Sequence, residues 1–314
     1  MIMKYDITAL GELLIDFTPY GNASDGAKLF GRNAGGAPAN LLAAISKFGG
    51  KSYFFTKVGR DMFGEFLIQT MKDSGVDTAG ISVDDVHNTT LAFVSLDESG
   101  DRDFSFYRRF GADAHLSAED IDTEVIKESK FFHFGSLSLT NEPMISATEK
   151  ALKAAKEAGC IITYDPNYRP LLWDSEDHAK KAMKEYMAYA DIVKVAYEEA
   201  LLISECDDIE DAARALLDIG MKILLITDGG NGVRYYSGAG SGFLPTIKAN
   251  VVDTTGAGDI FFGSFIYGLI KDGIEKNALP CVNIEKYVKT AILLSGKSTE
   301  KKGGIASIPE YMEA

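Results

Sequence analysis

The second half of the chain alternates between two patterns of hydrophobic and polar residues. Short apolar runs, typical of strands buried on both faces, are separated by stretches in which apolar residues recur with helical spacing. The short runs predict strands at 131–134, 161–164, 192–195 and 223–227. The longer stretches predict helices at 141–158, at 176–189, from Tyr197 onward and at 208–219. This alternation predicts an α/β fold, with a doubly wound, mainly parallel sheet flanked by helices.

The N-terminal part opens with a segment that favours a strand. It extends from Ile7 to Leu14 and predicts a buried first strand that ends at Ile15 and Asp16. Ligands of open α/β sheets bind at the carboxyl ends of the strands. Asp16 is therefore placed for a polar role, although it could also simply start a turn.

A hairpin interrupts this αβ order. Residues 89–96 and 103–108 form two β-like runs joined by a turn at 97–100. We expect a single domain over 1–314, with a small β-sheet lid built from segments at about 16–34 and 88–111. One free face of such a sheet would suit pairing with a second subunit, so we also expect a homodimer through the lid.

Composition narrows the possible partners. The 314 residues are 46% hydrophobic, enough for one large α/β domain or two small ones, and the formal charge of −14 argues against a nucleic-acid partner. No apolar run reaches membrane-spanning length, and the N-terminus lacks a signal-peptide pattern. The three scattered cysteines indicate free thiols in a reducing compartment. We therefore expect a cytoplasmic protein with neither a membrane nor a nucleic-acid partner.

Residues 251–263 are the segment most suited to chemistry. A short β-like run at Val251 and Val252 leads to Gly256 and Gly258, and an apolar helical pattern follows. The first N–H groups of such a helix favour an anion, and Asp259 adds a carboxylate at the same place. Phosphoryl transfer needs both donors for the phosphate and a base for the attacking hydroxyl. An ordinary N-capping aspartate after a glycine-rich turn is the alternative.

A second glycine pair, Gly35-Gly36, precedes another helical pattern that contains Pro38 and Asn40 and ends at Gly49 and Gly50. Paired glycines allow a hinge or a close backbone approach, and Asn40 could donate to a substrate hydroxyl. A plain loop before a helix with Pro38 in its first turn explains the composition as well.

Glycines also follow the predicted strand at 223–227. Gly229, Gly230 and Gly232 could admit a nucleotide against the backbone, although a plain β-turn has the same composition. The segment 296–299, Gly-Lys-Ser-Thr, resembles the end of a Walker A loop, but Ala291 stands where that loop requires glycine. We therefore reject a Walker A loop there.

Two of these motifs together resemble the signatures of the ribokinase-like (PfkB) sugar kinases. These are Asp-Thr-Thr-Gly-Ala-Gly-Asp at 253–259 and Gly-Gly-x-x-x-Asn at 35–40, and the resemblance extends from Gly11 to about Pro309. Segments at 32–40, 103–108, 132–139 and 165–173 are similar to fructokinases in particular. Relatives that phosphorylate 2-keto-3-deoxygluconate share the Tyr-Arg and Asn-x-Arg elements and are the alternative.

The resemblance implies a role for each candidate residue. Asp259 is the implied catalytic base, and Gly256, Ala257 and Gly258 form the implied anion hole. The implied sugar contacts are Asp16, Gly35, Gly36, Asn40, Tyr107, Arg108 and Arg169, with Arg108 and Arg109 otherwise explicable as exposed hairpin charges. The implied nucleotide contacts are Thr227, Gly229, Gly232 and Lys194.

The metal contacts implied by the resemblance are less regular. The family often carries Asn-x-x-Glu near residue 196, with the Glu linked to Mg²⁺; here Glu199 matches the Glu, but Ala196 takes the Asn position. A monovalent cation, K⁺, is implied near Asp253 and the loop 302–304.

Together these features predict an ATP-dependent, Mg²⁺-assisted fructokinase that makes fructose 6-phosphate. Another sugar kinase of the same family is the first alternative. A sugar- or nucleotide-binding sensor without catalysis is the second, and the presence of both Asp259 and the anion-hole glycines argues against it.

Overall fold

A computed structural model describes residues 3–96 and 102–314, so the turn predicted at 97–100 lies outside the described residues. In chain order, the strands are β1 (Tyr5–Leu10), β2 (Leu14–Asn22), β3 (Lys28–Gly35), β4 (Ser52–Gly59), β5 (Ile81–Asp84), β6 (Leu91–Leu96), β7 (Arg102–Tyr107), β8 (Ser129–Gly135), β9 (Ile161–Asp165), β10 (Ile192–Ala196), β11 (Ile223–Asp228), β12 (Gly232–Ser237) and β13 (Gly240–Pro245). The α-helices are α1 (Ala37–Lys47), α2 (Met62–Asp73), α3 (Thr123–Lys127), α4 (Met144–Ala158), α5 (Glu176–Met187), α6 (Tyr197–Ser204), α7 (Ile209–Leu217), α8 (Ala257–Lys271), α9 (Glu285–Ser298) and α10 (Gly304–Ser307).

Nine strands form the large sheet, in the order β13-β12-β11-β10-β9-β8-β1-β4-β5. The pairs β11–β12 and β12–β13 are antiparallel, and the other neighbouring pairs are parallel. Successive apolar residues of a strand point to opposite faces of the sheet. In β8, Phe131 packs into one core cluster, and Phe132 and Phe134 pack into the other. This is the doubly wound architecture predicted from the alternation. No helix in the described ranges is long and apolar enough to cross a bilayer.

The remaining four strands form a small sheet in the order β3-β2-β6-β7. The predicted hairpin is present, because β6 and β7 pair antiparallel, and β2 joins it by pairing parallel with β6. The small sheet thus combines both segments predicted for the lid. Its movement as a lid stays a prediction.

The predicted first strand, Ile7 to Leu14 ending at Ile15 and Asp16, is wrong in its second half. Strand β1 ends at Leu10, and Leu14 already begins β2 of the small sheet. The chain passes from one sheet to the other at 11–13, where a Cβ atom on Gly11 would lie 2.5 Å from the Pro38 ring. Leu13, Leu14 and Ile15 are buried at the junction, so buried apolar residues continue beyond the break that Gly11 and Glu12 mark.

The β-like run at Val251 and Val252 is also not a strand. Both side chains are more than half exposed, and the segment is held by the N–H groups of Val252 and Asp253, which donate to the Thr299 carbonyl at 2.8 and 3.0 Å. β-Branched residues favour extended backbone, but no strand among residues 3–96 and 102–314 pairs with this segment.

A buried carboxyl joins the two sheets at the start of α1. Glu12 lies in the connection between β1 and β2, and its Oε1 accepts the N–H of Ala37 at 2.8 Å. Burial raises the pKa of Glu12 to about 7, although hydrogen bonds from backbone N–H groups and the charge of Arg108 lower it.

This raised pKa gives Glu12 a predictable effect on stability. The folded chain retains the Glu12 proton to higher pH than the unfolded chain, so the free energy of unfolding falls as pH rises from about 4.5 through 7. Glu12→Gln removes this titration. Its unfolding free energy relative to the unsubstituted chain should therefore increase by roughly 2 kcal/mol between pH 5 and pH 8. Chemical denaturation at several pH values measures this, with Glu157→Gln on the exposed face of α4 as the control. A difference that does not change with pH would contradict the assignment.

Candidate active site

The N-terminus of α8 forms the centre of the site. Gly256 caps the helix in the left-handed conformation, with φ 75°, and a Cβ atom there would lie 2.9 Å from the Gly304 Cα. Ala257 and Gly258 form the first turn. The helix dipole and the outward-pointing N–H groups of a first turn favour an anion at this position.

Asp259 follows in the same turn and contacts a second helix. The Asn40 Nδ2 donates to the Asp259 Oδ2 at 2.8 Å, which joins the first turns of α1 and α8 across 219 residues of sequence. Burial raises the pKa of Asp259, while the charge of Lys194 and the Asn40 hydrogen bond oppose the rise. The Asn40 Oδ1 is buried without a hydrogen-bond partner in the described part of the chain, so an acceptor is available for a ligand hydroxyl.

The glycine pair lies beside these residues. A Cβ atom on Gly35 would lie 2.0 Å from the Asp16 Oδ2, so the Asp16 carboxylate packs directly against the Gly35 backbone. Gly36 caps α1 with φ 115°. Asp16 is thus next to the glycine pair, although it belongs to β2 and not to the end of the first strand.

Lys194 brings a cation to the start of α8. Its Nζ lies 2.9 Å from the Asp165 Oδ2 and 3.1 Å from the position of a Cβ atom on Gly258. Burial alone would lower the pKa of Lys194, but the carboxylates of Asp165, Glu199 and Asp259 raise it above its ordinary value. The ammonium is therefore charged where the phosphate groups of a nucleotide would meet the helix.

A cleft of about 870 Å³ opens from this point. Its lining includes every residue that the sequence suggested for the nucleotide, namely Lys194, Thr227, Gly229 and Gly232, together with Ala257 and Gly258. A Cβ atom on Gly232 would lie 2.3 Å from the Leu244 carbonyl oxygen, so this position needs glycine. The volume suits a ligand of nucleotide size.

Sequence reasoning missed the opposite wall of the cleft. Ile247, Lys248, Ile292 and Ser295 line it and carry no motif that marks them. The segment 296–299, rejected as a Walker A loop, spans the end of α9 and its C-cap, yet its Gly296 and Thr299 also line the cleft. Helical spacing on α9 links Ile292, Ser295, Gly296 and Thr299 on one face and was the available signal.

The arginines and the tyrosine predicted to contact sugar differ in their surroundings. Arg108 is buried, and its guanidinium donates to Asp113, Thr140 and the Leu137 carbonyl. It is therefore not an exposed hairpin charge, whereas Arg109 is exposed. Tyr107 is 67% exposed. The pKa values of Asp259 and Asp165 are raised by burial, and the charge of Arg169 opposes the rise at both carboxyls.

The residues predicted to bind metal ions have protein partners. Both oxygens of Glu199 accept backbone N–H groups, from Tyr168 at 2.6 Å and Ala196 at 2.8 Å, so a direct metal bond would compete with them. Asp253 accepts from Thr255 and from the Gly303 N–H, which brings together the two loops implied for the monovalent cation. The described residues include no cluster of three His, Cys, Asp or Glu side chains that could hold a metal. Mg²⁺ commonly binds through few protein ligands, water and substrate phosphates.

Comparison with known proteins identifies the family. A model of the pfkB family carbohydrate kinases matches residues 4–311. Probable fructokinase-5 of Arabidopsis thaliana is 39% identical over 315 residues, covering 98% of this chain and 95% of the relative. The crystal structure of a fructokinase from Xylella fastidiosa with bound ATP has a TM-score of 0.90 at 30% identity, covering 98% of this chain and 96% of that one.

A second solved structure is a double mutant of the fructokinase from Vibrio cholerae O395 with fructose, ADP and a potassium ion bound. It has a TM-score of 0.86 at 30% identity and covers 98% of this chain and 96% of that one. These matches confirm both the fold and the family predicted from the two glycine signatures. The chain belongs to the pfkB family of carbohydrate kinases and is a sugar phosphotransferase.

Proposed function

We propose that this chain is an ATP-dependent fructokinase that transfers the γ-phosphate to the primary hydroxyl of fructose, giving fructose 6-phosphate. The observation that carries the proposal is the Asp259 carboxylate, which Asn40 holds at the helix end whose residues Ala257 and Gly258 line the nucleotide-sized cleft. The fructokinases among the relatives and solved structures support this substrate, as does the bound fructose in the Vibrio cholerae enzyme.

In the proposed mechanism, Asp259 accepts the proton of the attacking hydroxyl. Its raised pKa makes it a stronger base than an exposed aspartate, while Asn40 orients the carboxylate. The hydroxyl oxygen then attacks the γ-phosphorus in line, and ADP leaves. The first-turn amides of α8 and the Lys194 ammonium stabilise charge on the transferring group.

The proposed cofactors are Mg²⁺ and K⁺. When bound, Mg²⁺ would neutralise charge on the β- and γ-phosphates, largely through water and phosphate ligands. Glu199 would contribute by fixing the backbone at Tyr168 and Ala196 beside this position. The proposed site for the monovalent cation is at Asp253 and the loop 302–304, which the hydrogen bond from the Gly303 N–H brings together, and a potassium ion is bound in the Vibrio cholerae enzyme.

We place the protein in the cytoplasm. Cys160, Cys206 and Cys281 are free thiols, as a reducing compartment allows.

The contacts of Arg108 favour a neutral sugar over an acidic one. The Arg108 Nε donates to the Asp113 Oδ2 at 2.7 Å, and its two terminal nitrogens donate to Thr140 and Leu137 at 3.1 and 3.2 Å. Its charge is thus neutralised and its donors are engaged, so it does not offer the bidentate site that a substrate carboxylate requires. The Asp16 carboxylate beside the glycine pair would also repel an acid.

Asp259→Asn should reduce kcat about a hundredfold or more, because the amide cannot accept the proton. The Asn40 contact and the cleft remain, so ATP binding should change little. A coupled ADP-release assay and an ATP titration measure the two effects. Asp218→Asn, at the exposed C-cap of α7, is the control. Near-normal turnover in Asp259→Asn would remove Asp259 as the base, and absence of turnover in the unsubstituted chain would favour the sensor.

Fructose should exceed 2-keto-3-deoxygluconate in kcat/KM by tenfold or more, equivalent to about 1.4 kcal/mol in transition-state binding. The physical reason is the neutralised Arg108 and the repulsion from Asp16. Both substrates are compared in one assay under the same conditions. A tenfold preference for the keto-acid would overturn the fructokinase proposal and leave the kinase mechanism in place.

We also propose a homodimer through the small sheet. One face carries an aromatic cluster in which Phe93 contacts Phe17, Phe30 and Tyr107, and Phe30 and Tyr107 are 43% and 67% exposed. Light scattering should give twice the chain mass of 34.0 kDa, and Phe30→Asp should shift the population toward monomers. A monomer at every working concentration would refute the dimer without affecting the proposed reaction.

A further inference from the structure

Helix α1 begins without a capping side chain of its own. Its N-cap is Gly36, which has no side chain, and its first turn contains no acidic residue. The φ of 115° explains the glycine, because L side chains rarely adopt that conformation. An acceptor from elsewhere in the chain must therefore replace the usual cap.

Glu12 supplies this acceptor from the connection between the two sheets. The side chain is 3% exposed, and its Oε1 accepts the Ala37 N–H at 2.8 Å. The Glu12 backbone contacts the same turn, since a Cβ atom on Gly36 would lie 2.3 Å from the Glu12 carbonyl oxygen. One residue thus holds both Gly36 and Ala37.

The held turn leads directly to the catalytic carboxylate. The Asn40 N–H donates to the Gly36 carbonyl at 2.9 Å, so Asn40 is fixed to the same turn that Glu12 contacts. The Asn40 side chain then donates to Asp259. A shift of the Ala37 turn would therefore be transmitted to the hydrogen bond that orients the base.

Glu12 also lies near the end of the small sheet at which β2 and β6 begin and β7 ends, which we call the root of the small sheet. Glu12 lies two residues before β2, and Arg108 directly follows β7. Arg108 forms a buried ion pair with Asp113, and Thr90 donates to that carboxylate just before β6. The charges of Arg108 and Asp113 act on Glu12 with opposite signs, so the buried carboxyl is electrostatically tied to this root.

We propose that Glu12 is a positioning residue for phosphoryl transfer. It fixes the first turn of α1 relative to the root of the small sheet, and through Asn40 it orients Asp259. The inference rests on the proposed role of Asp259 as the base. The role requires a side chain that is long enough to reach the Ala37 N–H, and it does not require a charge, because the contact is one hydrogen bond of 2.8 Å to a carboxyl oxygen.

Two substitutions separate reach from charge. Glu12→Gln keeps the length and an acceptor oxygen but cannot ionise, and Glu12→Asp keeps the carboxyl group but is one methylene shorter. We expect kcat of Glu12→Gln to stay within about threefold of the unsubstituted enzyme, and kcat of Glu12→Asp to fall about tenfold or more, with the KM for ATP nearly unchanged. Asp208→Ala removes a carboxylate cap from α7 and is the matched control, with unchanged kinetics.

The pH profile distinguishes positioning from a general loss of stability. The Asn40 hydrogen bond lowers the pKa of Asp259, so its weakening in Glu12→Asp should move the acid limb of kcat/KM to higher pH. The acid limb in Glu12→Gln and Asp208→Ala should not move. An unmoved limb in Glu12→Asp, or equal kcat in the Gln and Asp variants, would overturn the proposal.

Hydrogen exchange tests the same contact without activity. The amides of Ala37, Ala39 and Asn40 should exchange at least tenfold faster in Glu12→Asp than in Glu12→Gln, because the Ala37 N–H loses its acceptor. Equal exchange in the two variants would show that Glu12 does not hold the first turn of α1. If the unsubstituted chain phosphorylates no sugar, the proposed function fails, and the exchange result still decides whether Glu12 holds this turn.

Discussion

The hydrogen bond between Asn40 and Asp259 is the constraint around which the site is built. It joins the first turns of two helices that are distant in sequence, so the large sheet must bring α1 and α8 together before the site exists. Both helices pack on the same face of that sheet, where Leu41 and Ile45 of α1 share a core cluster with Phe262 and Phe265 of α8. The buried apolar contact between these helices supplies the rigidity, and the single polar contact supplies the orientation.

The charges around this bond are arranged for chemistry more than for stability. Lys194, Asp165 and Glu199 are all buried, and removing such charges from water is unfavourable even when they pair. The ion pair between Lys194 and Asp165 keeps the ammonium charged beside Gly258, where a phosphate would benefit from it. Carboxylates also surround Lys194, and the same burial raises the pKa of Asp259. A dry site with fixed charges is what stabilises a transferring phosphoryl group.

The sequence predicted features whose physical cause is local. Gly256 and Gly36 occupy backbone conformations that L side chains rarely adopt, so their motifs could be recognised without the fold. The cap of α1 could not be recognised from the sequence, because Glu12 and Ala37 are 25 residues apart and only the folded junction brings them together. Ile247, which lines the cleft, has no signature either, since dispersion contacts need shape and not a particular residue. The break after Leu10 was missed because apolar residues are buried on both sides of it, although Gly11 and Glu12 interrupt them in the sequence.

The glycines of the two signatures also meet a single packing requirement, the close approach of backbone around Asn40. A Cβ atom on Gly304 would lie 2.5 Å from the Asn40 Oδ1, one on Gly256 would lie 2.9 Å from the Gly304 Cα, and one on Gly36 would meet Glu12. Three backbone segments thus approach Asn40 or its turn more closely than side chains allow. The glycines therefore do more than permit turns: they remove the volume that would separate Asn40 from Asp259. Because the approach involves backbone on both sides, rotamer changes cannot relieve an added Cβ at Gly36, and the position of Asn40 relative to Asp259 depends on this glycine.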